Sequence, residues 1–245
     1  MNSETRSITW LARAESRLTY LWLALLVGSL VACSAPRSEP ADTLEAVRAR
    51  GVLRCGVVNE DVPYQRLNAD ICRAVAAAVL GDAEAVEFRA TSEQAGLDAL
   101  LSGETDLLSQ VTLTSGLDTG RALSPAPATF YTPEASYGAL VREGNDAWLA
   151  VVTWTVFATF AAEEYGVTSR NVAAELASEN AQVKRLLGVE PEAVEQLGLE
   201  NRAFYNVIGQ VGNYAEIYSR TLGAEPRGLN AGYQEGGLLY APPLR

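Results

Sequence analysis

Few residues in this chain could do covalent chemistry. Histidine is absent from all 245 residues, so Ser-His and Cys-His nucleophile pairs and His-ligated metal sites are excluded. Acids are paired at Glu163-Glu164 and clustered over 190–195, but they read as solvated helix faces rather than positioned carboxylates. No Gly-rich phosphate loop appears, and Gly236-Gly237 is a turn signal with no helix behind it. What remains is hydrogen-bonding chemistry: the run Ser109-Gln110-Val111-Thr112-Leu113-Thr114, and Tyr64 in the short segment 59–67. As residue types alone, Thr112 and Thr114 are loop hydroxyls that satisfy neighbouring backbone groups. The inventory supplies no catalytic residue, metal site or cofactor motif.

Cysteine usage points outside the cytosol. Arg6, Arg13 and Arg17 precede an apolar run over 18–31 that ends in Leu30-Val31-Ala32-Cys33. A short apolar stretch with small residues before a cysteine resembles a bacterial lipoprotein signal. Cleavage after residue 32 would leave Cys33 carrying the lipid, and several acyl chains together anchor stably where one would not. The run is short against the roughly 20 residues that a spanning helix needs. Ser34 rather than Asp follows the lipid site, which favours the outer membrane. The two remaining cysteines, Cys55 and Cys72, either form a disulfide, as an even pair in an exported chain suggests, or stay as buried thiols.

The net charge of −11 leaves no basic stripe to neutralise phosphates, which argues against nucleic acid, and it disfavours electrostatic docking on anionic lipid. Residues 33–42 form a Pro/Ser linker. Caps and stops then predict a helix over 43–50, a strand over 52–58, and a helix from Asn68 or Asp70 to Leu80. A strand over 86–89, a helix from Ser92 or Glu93 to Leu101, and a strand over 106–109 follow. The last leads into a Ser/Thr-rich loop over 109–119. This alternation implies a parallel, doubly wound sheet. Strands over 128–131 and 135–142 come next, then a helix capped by Asn145 and running to Tyr165. Its positions 147–162 (AWLAVVTWTVFATFAA) carry no charge, so it is buried in the core or meets a partner. Short helices are expected over 168–177, 180–187, 192–197, 203–211 and 213–222. The Gly/Pro-rich end 228–245 needs tying down by Leu238, Leu239 and Tyr240.

Two blocks carry a family likeness. Residues 52–82 (VLRCGVV…LNADICRAVAAAVLGD) form the first. The second is the tail from Trp148, with GVTSRNV at 166–172, RLLG at 185–188, QVGNYAEIY at 210–218 and GGLLYAPP at 236–243. Both resemble the periplasmic amino-acid-binding component of ABC transporters, solute-binding protein family 3, in its general L-amino-acid-binding subgroup. The resemblance implies an α/β chain: a single doubly wound lobe of a type II periplasmic-binding-protein fold over 43–142, followed by a helical C-terminal part over 143–245. The second lobe of the relatives is missing, because the points where their crossing strands leave and re-enter lobe one are nearly fused here.

Relatives grip an amino acid at both ends, a lobe-one arginine forking its carboxylate and a lobe-two acid holding its ammonium. The likeness therefore implicates Ser109, Thr112 and Thr114 as ligand donors and Tyr64 as a ligand wall. Matching Asp118-Thr119 to the relatives puts Leu117 where the arginine belongs, and Arg121 would need a different loop path to replace it. A lost forked pair costs roughly 3–6 kcal/mol, so a micromolar binder would become millimolar or worse. On the uncharged helix, Ala150 and Thr153 stand where relatives carry an acid and a base, which makes Trp148, Ala150, Thr153, Trp154 and Phe157 candidates for partner contact. The implied function is that of an exported lipoprotein of the solute-binding type, reduced to one lobe, with weak or no amino-acid binding and an ABC permease as partner. The alternative is a repurposed accessory subunit of another membrane complex. An enzymatic reading, by analogy with solute-binding-like transglycosylases or dehydratases, lacks a positioned acid.

Overall fold

The computed structural model describes residues 42–58, 65–113, 122–190, 192–223 and 226–245. The expected export signal and Cys33 lie outside the described residues.

Helix α1 (Thr43–Arg50) starts where the Asp42 carboxylate accepts from the Leu44 N–H, and it stops at Gly51 with φ 72°. Strand β1 (Leu53–Val58) and helix α2 (Gln65–Leu80) follow, then β2 (Val86–Thr91), α3 (Glu93–Ser102) and β3 (Leu107–Thr112). Helix α2 begins earlier than the sequence signals place it, before Asn68. Beyond β3 come β4 (Leu123–Tyr131), β5 (Ser136–Arg142) and the long helix α4 (Asp146–Glu164), capped by the Asn145 side chain as expected. The rest is short helices: α5 (Ala181–Leu186), α6 (Glu192–Glu195), α7 (Ala203–Gln210) and α8 (Tyr214–Leu222). Residues 168–173 form turns rather than a helix, leaving a single 3-10 turn at Ala174–Ala177. The Asn171 side chain explains this, because its oxygen accepts from both the N–H and the hydroxyl of Thr168 and so competes with a helical ladder.

The strands form one sheet in the order β2-β1-β3-β5-β4. Strand β1 pairs in parallel with β2 and β3, whereas β5 runs antiparallel to β3 and β4. The sheet is thus mixed rather than wholly parallel. The four residues 132–135 joining β4 to β5 are the reason, since so short a link can only reverse the chain into a hairpin. Within that link Thr132 N donates to Ala135 O at 2.8 Å, and Ala135 N donates to the Thr132 hydroxyl at 3.1 Å.

Alternate residues of the central strands feed two cores. Cys55 and Leu107 join the large cluster with α2, α4, α7 and α8, while Val58, Leu108 and Val111 pack with Leu97 and Leu100 of α3. Helix α4 lies inside the large cluster, with ten of its residues buried. The tail returns over that cluster through Leu239, Ala241 and Leu244. Leu238 and Tyr240, expected to help fasten it, are instead 50% and 55% exposed. An extended chain alternates its faces, so burying Leu239 turns both neighbours outward.

Candidate functional site

In a parallel α/β sheet the carboxyl ends of the strands are where ligands collect. Here that edge holds Val58 at the end of β1, Thr112 at the end of β3, and the start of β5, since Thr112 stands opposite Tyr137. Helix α2 opens beside it. Tyr64 and Thr114 lie outside the described residues, as do Leu117 and Arg121.

Ser109 is not in a loop. It belongs to β3 opposite Val57, is 2% exposed, and its hydroxyl donates to the Asn68 carbonyl at 3.2 Å. That bond ties the strand to the first turn of α2 and occupies the hydroxyl. Thr112 is also in β3, half-buried at the edge. The Ser/Thr-rich loop therefore starts later than its composition suggests, because β3 is sandwiched between β1 and β5 and continues wherever both neighbours offer backbone partners.

Asn68 is the residue that sequence reasoning passed over, reading it only as a helix start. It is 1% exposed, and among the described residues neither its amide nitrogen nor its amide oxygen has a hydrogen-bond partner. An unpaired buried amide is costly, and this one sits directly beneath the strand edge beside Ser109. Its signal in the sequence was a polar residue at an otherwise apolar helical position.

Cys55 and Cys72 are joined in a disulfide with Cα atoms 6.2 Å apart, clamping β1 to α2 on the large-core face. The opposite end of the sheet is locked by Asp106. Its carboxylate accepts from Arg54 N at 2.9 Å and pairs with Arg50, while its carbonyl accepts from the Trp148 indole at 2.9 Å. Burial pushes the Asp106 carboxyl up from its ordinary value, against the lowering pull of the Arg54 N–H and of Arg50, Arg54 and Arg142. This cluster is structural, at the far end from the edge described above.

Of the residues proposed for partner contact, Trp148 is excluded. It is 1% exposed, and its only polar side-chain atom is spent on Asp106. The apolar helix is mostly a core helix, because it must fill the space between the sheet and α7 and α8. Ala150 and Thr153 remain half-buried on its outer side. Trp154 and Phe157 meet edge-to-face with ring centres 5.6 Å apart, and with the tail residues Pro242, Pro243 and Leu244 they enclose a small crevice. The chain's own end thus covers part of that strip. Among the described residues no group of three or more acids or cysteines is placed to hold a metal ion, and no helix is long and apolar enough to cross a membrane.

No family model matches the chain. Individual proteins do. The chain is 27% identical over 333 aligned positions to YhdW of Escherichia coli, designated an amino-acid ABC transporter-binding protein, with 90% of this chain and 98% of that one covered. It is 28% identical to the general L-amino acid-binding periplasmic protein AapJ of Rhizobium johnstonii, covering 91% of this chain and 98% of the relative. It is also 28% identical to the glutamate/glutamine/aspartate/asparagine-binding protein BztA of Rhodobacter capsulatus, over 84% of this chain and 94% of that protein. A solved structure of a periplasmic binding protein from Brucella ovis with glutathione bound superposes with a TM-score of 0.76 at 27% identity, covering 84% of this chain and all of that one. Shared sequence over nearly the whole length and a shared fold lead to one conclusion: the chain is a homologue of the periplasmic binding proteins of amino-acid ABC transporters, with the α/β architecture of a type II periplasmic-binding-protein domain.

Proposed function

We propose that this protein is an exported, lipid-anchored solute-binding-type protein reduced to one lobe, with weak or no binding of free amino acids. The observation that carries the reading is the four-residue hairpin turn between β4 and β5, at the place where two-lobed relatives pass into their second lobe. The alignment with YhdW supports it, since its 333 positions exceed the 245 residues of this chain. A clamp holds a zwitterion by closing two surfaces on it. A single strand edge leaves the ligand open to water, where each polar contact is weakened. The Ser109 hydroxyl, already bonded to Asn68, has less to offer a ligand than the likeness implied. The periplasm follows from the homologues. The lipid on Cys33 rests on the sequence signal, and the permease partner on the relatives' designation.

Calorimetry with a mixed panel of L-amino acids and glutathione, the ligand of the Brucella ovis neighbour, tests the reading. Silence to about millimolar concentration is expected, which corresponds to at most about −4 kcal/mol of binding. Micromolar binding of any member would overturn it. The accessory-subunit reading draws on the uncharged Ala150 and Thr153 at the half-exposed side of α4. Co-purification of a membrane assembly lost on Ala150→Arg, with binding to an ABC permease absent, would favour it.

A further inference from the structure

We propose that the outer edge of β2 takes an acidic peptide segment of a partner protein as an added strand. Among the described residues β2 is the last strand in the sheet on its side, paired with β1 alone, so the outward half of its backbone N–H and C=O groups has no strand partner there. It carries neither proline nor bulge to block addition. Its alternate residues Phe88 and Ala90 stand level with Cys55 and Val57, on the face where Cys55 is bonded to α2. Helix α2 packs on β1 and only borders β2 on that face, where Phe88 is 40% exposed.

The result is a groove of about 600 Å³ between α2, α8 and β2, lined by Arg66, Arg73, Arg220, Asp70 and Phe88 among others. Its charge runs against that of the chain, which is −11 overall. Asp70 fixes two of the guanidinia, reaching Arg220 at 3.0 Å and Arg73 at 3.4 Å. Arg73 also lies 5.3 Å over the Phe88 ring. Glu84 meets Arg73 from the rim at 3.4 Å. Arg66 is exposed and has no ion pair among the described residues, so one positive charge is left over. The Glu87 and Arg89 pair belongs to the alternate positions of β2 and does not line the groove.

A small anion in so open a groove would gain little, because exposed ion pairs contribute only about 0–1 kcal/mol. A peptide gains the backbone ladder as well, and its groove-facing positions, every second residue, place carboxylates over the arginines and one apolar side chain over Phe88. The occupant is therefore acidic and extended.

The test uses the purified full chain and a dye-labelled heptapeptide Glu-Thr-Val-Thr-Glu-Thr-Glu, whose odd positions share one face, followed by fluorescence anisotropy. Saturable micromolar binding is expected, weakened about tenfold or more by Arg66→Glu and by about 0.5 M salt. A lysine-for-glutamate peptide is expected not to bind. Phe88→Ala should weaken binding without removing its salt dependence, and hydrogen exchange should slow at outward amides of 86–91 when the peptide is present. Arg66 is exposed and has no ion pair among the described residues, so its replacement is expected to leave folding intact. Equal affinity in the Arg66→Glu variant, no saturable binding, or displacement by glutarate as effectively as by unlabelled peptide would each overturn the proposal.

Discussion

A Cβ built on Gly188 would stand 1.6 Å from the Asn201 carbonyl oxygen, and its φ is +66°. Both facts demand glycine at the end of the RLLG motif, where the chain leaves α5 and passes against another backbone segment. Gly188→Ala is expected to cost about 3 kcal/mol or more, measured as a shift in urea midpoint at unchanged slope. Glu216 is the second telling residue. Burial alone would raise its carboxyl, but bonds from the Ser169 hydroxyl and N–H, the Asn213 N–H and the charge of Arg220 hold it below its ordinary value of 4.5. A lowered folded value means that this stability is present above about pH 4.5 and is lost as pH falls through the folded value. Glu216→Gln should therefore flatten the acid limb of a stability-versus-pH curve and cost about 1–2 kcal/mol at neutral pH. An unchanged acid limb would contradict this account. At this scale the sequence was legible where a side chain acts on its own neighbours: Asp42, Ser92, Asn145 and Asn213 all cap the helices they precede. It was opaque where the partner is distant. Nothing local says that Ser109 reaches Asn68, or that the Trp148 indole reaches Asp106.

Among elements, the β1–α2 unit shows how a covalent bond and a fold agree. The disulfide closes a loop of sequence separation 17, and a loop of that length contributes on the order of 3 kcal/mol. Reduction, or the double change Cys55→Ser and Cys72→Ser, should lower the unfolding free energy by about that amount in chemical denaturation. A loss under about 1 kcal/mol would show that the bond is incidental. Asn230 plays the matching role for the tail, accepting from Tyr131 N at 2.7 Å and donating to Tyr131 O at 2.9 Å. Asn230→Ala leaves both backbone groups at the end of β4 unpaired and should cost about 1–3 kcal/mol, with the C-terminal residues exchanging their amides faster. The order of helices and strands could be read from caps and periodicity, while pairing direction could not. Parallel and antiparallel strands carry similar apolar patterns, so the reversal at β5 became visible only with the link of 132–135 in place. The carboxyl edge was half legible: hydroxyl-bearing residues marked it, but the length of β3 depends on neighbours that the local pattern does not name.

For the whole molecule, the proposed single lobe has a mechanical signature. Two-lobed binding proteins contract when a ligand draws the lobes together. The proposed single lobe lacks a second surface to close against and has no such motion. Small-angle scattering should give the same radius of gyration with and without amino acids or glutathione, and a measurable contraction would show that a closing partner surface exists. The same scale explains why fold and activity were unequally readable. The large cluster, from Leu44 to Leu244, is encoded by many apolar positions that reinforce one another. In the proposed reading ligand affinity would rest on a handful of side chains at one edge, where one substitution decides the outcome.

The turn at 132–135 also makes this protein a natural splice junction. Tyr131 and Ser136 are paired neighbours, and Pro133 and Glu134 between them are exposed. Paired strand residues stand only about 5 Å apart, so a foreign module whose own ends lie close together could be grafted there with little entropic penalty. A circularly permuted fluorescent protein inserted between Pro133 and Glu134 should leave the sheet intact and report on whatever the carboxyl edge touches.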